Sequence, residues 1–174
     1  MKSAIVSVVL LFLMIASPLF AQNKSKELKV GDKAPNFLLK DAFGKSYNLK
    51  SFKGKSPVIV YFYPKAGTPG CTKEACGIRD DWSKFKKNGI SVFGVSVDTK
   101  SEIKEFIHKY NLNFPLLSDA NKRVSKLYGV LLPNGFDKRV TFIIDKSGRI
   151  AKIINVTNIE EHASEVFNVA MKLK

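Results

Sequence analysis

The sequence predicts one α/β domain in which a mixed central β-sheet is flanked by helices. Apolar runs of strand length alternate with helical stripes from Asp32 to Lys174, and no change in composition divides that region. Two of these runs, residues 57–63 and 90–97, are largely apolar throughout, as is typical of strands that are covered on both faces. A chain of 174 residues is long enough for one such domain and short for two.

The domain begins with a predicted β-hairpin. Residues 37–39 and 46–49 flank a turn at 41–45 that contains a glycine, a residue suited to tight turns. The first buried strand follows at 57–63 and stops at Pro64. Because it is apolar on both faces, we expect this strand to lie in the middle of the sheet.

A helix is predicted between the two buried strands. Four apolar residues recur at steps of three and four positions, namely Ala75, Ile78, Trp82 and Phe85. The Asn88-Gly89 pair is a helix stop, so the stripe should form one helix that ends there. Strands joined by a helix in this way should be parallel, with a right-handed crossover.

The second half of the domain continues the alternation. The predicted elements are, in order, a helix opened by Ser101, a short strand at 115–117, a short helix after Asp119, strands at 140–144 and 150–156, and a closing helix over 163–170. A four-residue turn with a glycine joins the last two strands, which should therefore pair as a hairpin. This hairpin supplies antiparallel strands and makes the sheet mixed.

Residues 1–21 are predicted to be a signal peptide rather than part of the fold. Lys2 precedes an apolar stretch from Ala4 to Phe20, Ser17-Pro18 interrupts that stretch, and a small residue at position 21 permits cleavage. Cleavage would leave an exported chain, periplasmic or secreted, with no stable membrane association. The alternative is an uncleaved membrane anchor, since the stretch approaches a spanning length. Residues 22–31 follow as a short basic linker.

The charge balance is the one outlier in the composition. The chain has 29 basic and 15 acidic side chains, a formal net charge of +14. One alternative function is therefore a non-catalytic module that binds polyanions or anionic membranes. Most of the lysines fall on polar helix faces, and no basic motif with interleaved aromatic residues occurs. We therefore expect a solvated basic surface and no nucleic-acid partner.

Metal and cofactor sites are not expected. Two cysteines and two histidines are too few for a comfortable tetrahedral zinc site, and two cysteines are too few for a disulfide scaffold. We expect His108 and His162 to lie on solvent-facing helix positions.

The most informative segment surrounds Cys71. This residue lies where a buried strand has ended and a helix begins. Backbone N–H groups and the dipole at a helix N-terminus favour the thiolate form of such a cysteine. Thr68, three residues earlier, can place a hydroxyl group beside the sulfur, and Pro64 and Pro69 stiffen the connecting loop. These features predict a reactive thiol.

The second cysteine, Cys76, is five residues further along the same predicted helix. On an ideal helix the Cα atoms of Cys71 and Cys76 would be roughly 8.6 Å apart, whereas a disulfide requires about 7 Å or less. Either no bond forms, or its formation unwinds the first helical turn. Three interpretations of Cys76 stay open: an inert core thiol, half of a permanent structural disulfide in an exported protein, and a redox partner of Cys71.

The segment resembles the active site of a known family. The pattern Pro64-x-x-x-Thr68-x-x-Cys71 is similar to the active-site motif of peroxiredoxins. Residues 61–80 (YFYPKAGTPGCTKEACGIRD) are similar to the peroxiredoxin Q, or bacterioferritin-comigratory protein, subfamily. The resemblance extends over about residues 30–145, and it implies a thioredoxin-like fold.

The resemblance also implies roles for individual residues. Cys71 matches the peroxidatic cysteine and Cys76 the resolving cysteine, with which it would form an intramolecular disulfide. Thr68 matches the peroxide-binding hydroxyl group, Pro64 the shielding proline and Arg139 the active-site arginine. The implied reaction is the thiol-dependent reduction of hydrogen peroxide and organic hydroperoxides, with recycling by a thioredoxin-like dithiol protein. Because the disulfide would be intramolecular, we expect a monomer.

Two further expectations bear on this assignment. Glu74 lies early in the same helix, where its charge suits the helix dipole but opposes a nearby thiolate. We therefore expect Glu74 to point to solvent and to have no catalytic role. A general thiol–disulfide oxidoreductase is the alternative enzyme, but that chemistry usually carries Cys-x-x-Cys, and here four residues separate the thiols.

Overall fold

A computed structural model of the chain describes residues 27–174, which fold around a seven-stranded β-sheet in the order β2-β1-β5-β4-β3-β6-β7. The strands are β1 (Leu38–Asp41), β2 (Ser46–Asn48), β3 (Val58–Phe62), β4 (Ser91–Ser96), β5 (Leu116–Ser118), β6 (Val140–Ile144) and β7 (Ile150–Asn155). The α-helices are α1 (Pro69–Asp80), α2 (Trp82–Lys87), α3 (Lys100–Tyr110), α4 (Arg123–Leu127) and α5 (His162–Met171). A short 3-10 helix, Leu49–Phe52, follows β2.

The sheet is mixed, as the sequence predicts. Strands β3, β4 and β5 run parallel to one another. Strand β1 pairs antiparallel with β2 and β5, and β6 pairs antiparallel with β3 and β7. The N-terminal hairpin, the parallel pairing of the two buried strands and the C-terminal hairpin are therefore confirmed.

The central strand β3 separates two apolar cores. All five of its residues are buried. Ile59 and Tyr61 belong to a core that also contains side chains of α1, α2, α3 and α5. Val60 and Phe62 belong to a second core, which residues of α4 and of the N-terminal segment complete. Because both faces of β3 are buried, its sequence is continuously apolar rather than alternating.

The prediction of one long helix between β3 and β4 is wrong, because α1 and α2 are separate helices. Helix α1 ends at Asp80, and Asp81 adopts φ −90° and ψ 1°, with its N–H directed to the carbonyl groups of Gly77 and Arg79. Two consecutive aspartates oppose the dipole at the C-terminus of α1, whereas Asp81 suits the N-terminus of α2. The apolar stripe nevertheless continues across the break, with Ile78 and Phe85 both buried.

Helix α3 begins earlier than predicted. Thr99, rather than Ser101, precedes its first residue, and a reciprocal capping box joins Thr99 to Glu102. The Glu102 N–H donates to Oγ1 of Thr99 at 3.3 Å, and the Thr99 N–H donates to Oε2 of Glu102 at 2.8 Å. The capping box satisfies two N–H groups that would otherwise lack partners.

The topology brings three distant parts of the chain to the N-terminus of α1. Helix α1 starts shortly after the C-terminal end of β3. Strand β6 runs antiparallel to β3 and pairs Val140 with Phe62, so the residue before β6, Arg139, lies at that same end of β3. Helix α5 packs against α1, where a Cβ atom on Gly77 would lie 3.6 Å from the Cβ atom of Ala163.

The predicted signal peptide at 1–21 lies outside the described residues, as does half of the predicted linker. Among residues 27–174, no helix is long and apolar enough to span a membrane.

Candidate active site

Cys71 is the third residue of α1 and is 2% exposed. Thr68 is the N-cap residue of this helix, with extended backbone, and Pro69 is its first residue, a position where proline costs no hydrogen bond. The Thr72 N–H closes the first turn by donating to the Thr68 carbonyl at 2.8 Å. Cys71 therefore lies at the positive end of the helix, as predicted.

Arg139 contacts the sulfur of Cys71. Its Nη2 atom donates to Sγ at 3.2 Å, although 68 positions separate the two residues. Its Nη1 atom donates to Oε2 of Glu74, with which it forms an ion pair. Although burial acts in the opposite direction, the charges of Glu74 and Cys71 raise the pKa of Arg139. A permanently charged guanidinium group thus lies against the thiol, and the predicted association of Arg139 with Cys71 is found.

The expectation that Glu74 points to solvent is wrong. Glu74 is 1% exposed and lies three residues after Cys71, on the same face of α1. That face is turned to the core, where Arg139 supplies the opposite charge that makes burial of a carboxylate possible. Burial raises the pKa of Glu74 to about 7, and Arg139 opposes part of this rise.

The expectation that both histidines face solvent is wrong for His162. This first residue of α5 is 0% exposed. Its Nε2 atom lies 2.8 Å from Oγ1 of Thr141, and its Nδ1 atom lies 3.2 Å from Oε1 of Glu74. Burial, reinforced by the charge of Arg139, lowers the pKa of His162 to about 4, so the ring is neutral at pH 7.

Sequence reasoning missed His162, although one signal was available. His162 lies four residues before Val166 and eight before Ala170, two fully buried residues of α5. It therefore extends the apolar stripe of this helix by one step. His108, in contrast, is exposed on α3 as expected. Its ring centroid lies 6.2 Å from that of Phe43.

The loop from β3 to α1 holds the remaining predicted residues. Pro64 is half-buried next to the buried Tyr63. The Ala66 N–H donates to Oδ2 of the buried Asp98 at 2.8 Å, which ties the loop to the end of β4. The hydroxyl group of Thr68 donates to the Lys65 carbonyl at 3.0 Å, rather than to the sulfur of Cys71.

Cys76 is half-buried on the same helix as Cys71 and packs against the core. Both cysteines are free thiols. Helix α1 is continuous from Pro69 to Asp80, so the two Cα atoms have the separation of about 8.6 Å that five helical residues impose. In this conformation the thiols cannot bridge. Within residues 27–174, no group of three or more His, Cys, Asp or Glu side chains is arranged to hold a metal ion.

The arrangement has a definite chemical capacity. A nearly buried thiol lies at a helix N-terminus, in contact with an arginine that a buried carboxylate holds from the other side. Such a site can stabilise a thiolate and also the negative charge that develops on the leaving oxygen atom of a peroxide. The reaction requires no titrating histidine beside the sulfur.

Comparison with known proteins agrees with this geometry. A model of the AhpC/TSA family matches residues 30–153. Peroxiredoxin Bcp of Escherichia coli K12 is 41% identical over 148 residues, which cover 81% of this chain and 94% of the relative.

Two solved structures are also similar. Peroxidoxin BcpB of Mycobacterium tuberculosis superposes with a TM-score of 0.77 at 33% identity, over 85% of this chain and 99% of that one. The bacterioferritin comigratory protein of Xanthomonas campestris, which has alkyl peroxide reduction activity, superposes with a TM-score of 0.74 at 26% identity, over 83% of this chain and 96% of that one.

Proposed function

The chain belongs to the AhpC/TSA family and is a peroxiredoxin of the Bcp and peroxiredoxin Q type, and we propose that Cys71 is its peroxidatic thiol. Peroxiredoxins are thiol-dependent peroxidases, and their fold is thioredoxin-like. The observation that carries the assignment of Cys71 is the 3.2 Å contact between its Sγ atom and Nη2 of Arg139. The substrates proposed are hydrogen peroxide and organic hydroperoxides, the latter class in line with the alkyl peroxide reduction activity of the Xanthomonas relative.

The first chemical step is a displacement at oxygen. The Cys71 thiolate attacks one oxygen atom of the peroxide, the O–O bond breaks, and Cys71 becomes a sulfenic acid. The other oxygen atom leaves with the electron pair and takes up a proton, giving water or an alcohol. Arg139 and the backbone N–H of Cys71 stabilise the charge on the leaving oxygen. Thr68 joins them once its hydroxyl group exchanges the Lys65 carbonyl for the bound peroxide.

The second step forms the disulfide that we propose between Cys71 and Cys76. The Cys76 thiolate attacks the sulfenic sulfur, an S–S bond forms, and hydroxide leaves and is protonated to water. Because the helical spacing of about 8.6 Å exceeds disulfide length, the first turns of α1 unwind in this step. A thioredoxin-like dithiol protein then reduces the disulfide and is itself oxidised.

The proposal extends to location and assembly. The apolar stretch within residues 1–21 supports export to the periplasm or the medium after cleavage. The intramolecular pairing of Cys71 with Cys76 supports a monomer, since no second chain is needed to complete the cycle.

The two cysteine variants test this function. Purified, reduced protein is mixed with one equivalent of hydrogen peroxide while Trp82 fluorescence and the number of free thiols are followed. Trp82 begins α2, directly after the helix that unwinds, and packs against Phe114 at 5.8 Å. We expect rapid loss of two thiols in the wild type and no reaction in Cys71→Ser.

The variant Cys76→Ser serves as the matched control. It should consume one equivalent of peroxide and then lose turnover with a dithiol reductant. Full peroxidase activity of Cys71→Ser would contradict the assignment of Cys71. Full dithiol-driven turnover of Cys76→Ser would contradict only the resolving role of Cys76. The assignment of Cys71 would be unaffected.

A further inference from the structure

A buried histidine lies behind the active-site ion pair. Arg139 is held on one side by Cys71 and on the other by Glu74, and His162 lies on the far side of Glu74. We propose that His162 is a positioning residue of the peroxide reaction, which acts through Glu74 to hold the Arg139 guanidinium group against Cys71. The inference rests on the proposed role of Cys71 and adds a residue to that site.

The two oxygen atoms of Glu74 have different partners. Oε2 accepts from Nη1 of Arg139. Oε1 has no hydrogen bond of its own, and Nδ1 of His162 lies 3.2 Å from it. Nδ1 likewise has no other partner, and its N–H is not aligned as in a full hydrogen bond. Because neither buried atom has a hydrogen bond, a small rotation of the ring that makes this bond is favourable to both.

Glu74 determines which nitrogen atom carries the proton, and the Thr141 hydroxyl group fits the resulting tautomer. A neutral histidine has one N–H group, and a lone pair on Nδ1 would repel the Glu74 carboxylate. With the proton on Nδ1, the lone pair of Nε2 accepts from the Thr141 hydroxyl group, which lies 2.8 Å away. The hydrogen-bond chain then runs from Thr141 through His162 and Glu74 to Arg139, with every donor facing an acceptor.

The surroundings keep this histidine neutral. The groups that face the ring are Glu74 from α1, Arg139 and Thr141 from β6 and the residue before it, and Tyr61 from β3, whose ring centroid is 5.9 Å away. Two acidic residues adjoin His162 in sequence, Glu161 before α5 and Glu165 within it, and both are exposed. Burial and the charge of Arg139 both disfavour the imidazolium form.

The ionisation state of Glu74 determines how firmly Arg139 is held for catalysis. An ionised Glu74 holds Arg139 by charge, whereas a protonated Glu74 does not. An N–H donor at Oε1 stabilises the ionised form and so keeps the guanidinium group fixed where the leaving oxygen develops charge. Without that donor, Glu74 takes up a proton at higher pH and Arg139 loses the partner that orients it.

A pair of isosteric variants separates this role from packing. The side-chain nitrogen of asparagine can occupy the position of Nδ1, and that of glutamine the position of Nε2. His162→Asn therefore keeps a donor toward Glu74, and His162→Gln keeps one toward Thr141 only. Both are neutral and similar in size to histidine. The measurement is the second-order rate constant for oxidation of Cys71 by hydrogen peroxide from pH 5 to pH 9.

We expect His162→Asn to react within about threefold of the wild-type rate, and His162→Gln to react about tenfold more slowly at pH 7. The acid limb of the pH profile should move up by about one pH unit in His162→Gln only, because the pKa of Glu74 rises without the donor. Equal rates in all three proteins, or equal losses in both variants with no shift of the profile, would overturn the proposal.

A second measurement does not depend on the variants folding. The ring nitrogen shifts of His162 in reduced wild-type protein, recorded by 15N NMR, should show the neutral tautomer protonated at Nδ1 between pH 5.5 and pH 8. A proton on Nε2, or an imidazolium at pH 6, would overturn the proposal. If the wild type failed to react with peroxide through Cys71, the proposed function would fail, whereas the tautomer would still show whether His162 supports Glu74.

Discussion

Arg139 is the residue at which the chemistry of the site converges. One of its terminal nitrogen atoms contacts the sulfur of Cys71, and the other contacts the carboxylate of Glu74. This use of two nitrogen atoms in a fixed plane is specific to a guanidinium group, because a lysine offers a single point of charge on a flexible chain. A positive charge at position 139 is therefore not sufficient, because the two contacts also require the planar guanidinium group.

We predict that Arg139→Lys lowers the rate constant for oxidation of Cys71 by peroxide about 100-fold, since one donor to the developing charge is lost. Stopped-flow measurement of Trp82 fluorescence in single turnover gives this rate. The control is Arg149→Lys, on the far hairpin, where the arginine donates to the Gly31 carbonyl at 2.7 Å. A rate for Arg139→Lys within threefold of the wild type would show that bidentate contact is not needed.

At the residue scale, the sequence predicts the reactive cysteine better than its surroundings. Cys71 follows from its place between a buried strand and a helix, and Arg139 follows only from the family motif. Solvent exposure was the wrong prediction for Glu74 and His162. It was made because both side chains are ionisable and both belong to helices, which usually expose their polar residues. Their burial depends on partners that come from other elements, namely Arg139 and Thr141. A helical pattern cannot show such partners.

At the element scale, the sequence of the first turn of α1 affects the position of the Arg139 side chain. Gly70 is the second residue of this helix, and the Arg139 side chain passes over it. A Cβ atom at Gly70 would lie 3.2 Å from Nη2 of Arg139 and 3.3 Å from Cδ1 of Ile159. A side chain at this position would therefore require Arg139 and Ile159 to shift by a few tenths of an ångström.

We predict that Gly70→Ala lowers the rate of the peroxide reaction about tenfold, because the new methyl group moves the guanidinium group away from the sulfur. The stability of the fold should be unchanged or higher by up to about 1 kcal/mol, since alanine is the better helix former. Stopped-flow rates and thermal unfolding measure the two effects separately.

Gly77→Ala is the matched control on the same helix. Its methyl group would meet Ala163 at an ordinary distance of 3.6 Å, far from the arginine. It should gain stability for the same reason as Gly70→Ala and keep the wild-type rate. A normal rate in Gly70→Ala would mean that Arg139 accommodates the methyl group without leaving Cys71.

At the element scale, strands were easier to predict than helix ends. Every predicted strand is present, because the buried strands require apolar runs of the right length and the two hairpins have recognisable turns. The division between α1 and α2 at Asp81 was missed, since the apolar stripe continues across it. The start of α3 was missed because Thr99 and Glu102 decide it together through their reciprocal hydrogen bonds. Local charge and capping, rather than periodicity, thus fix where helices stop and start.

A buried acidic cluster joins several parts of the whole molecule. Ser125 of α4 contacts Oδ2 of Asp119 at 2.9 Å and Oδ2 of Asp137 at 3.0 Å. A serine hydroxyl group has one proton and can donate to only one of them. Burial raises the pKa of Asp137 to about 7, Ser125 opposes this rise, and the charges of Asp119 and Asp98 add to it. Asp137 therefore binds a proton more readily in the folded protein than in the unfolded chain.

The sign of the resulting pH dependence is definite. The pKa of Asp137 lies above its unfolded value near 3.8, so the folded state binds more protons between about pH 4 and pH 7. Stability falls as pH rises through that interval. We predict that Asp137→Asn raises the free energy of unfolding by about 1–2 kcal/mol at pH 8 and has little effect near pH 4. Urea unfolding at both pH values measures the difference.

Asp145→Asn provides a control of opposite sign. Although burial acts the other way, hydrogen bonds from Ser147, Arg149 and Gly148 lower the pKa of Asp145 in the β6–β7 turn. Removing its charge should therefore lower stability at pH 8, by about 1 kcal/mol. A loss of stability at pH 8 in Asp137→Asn as well would show that Asp137 is ionised and well solvated in the folded protein.

The pairing of β6 with β3 has a consequence for the protein during refolding. Arg139 reaches Cys71 only when β6, which is distant in sequence, has paired with β3. A partly folded chain therefore has an accessible thiol that alkylating reagents modify, without the arginine that accelerates attack on peroxide. As the sheet closes, Cys71 becomes almost fully buried and gains Arg139. In the complete fold, the Cys71 thiol is therefore shielded from alkylating reagents and is activated toward peroxide.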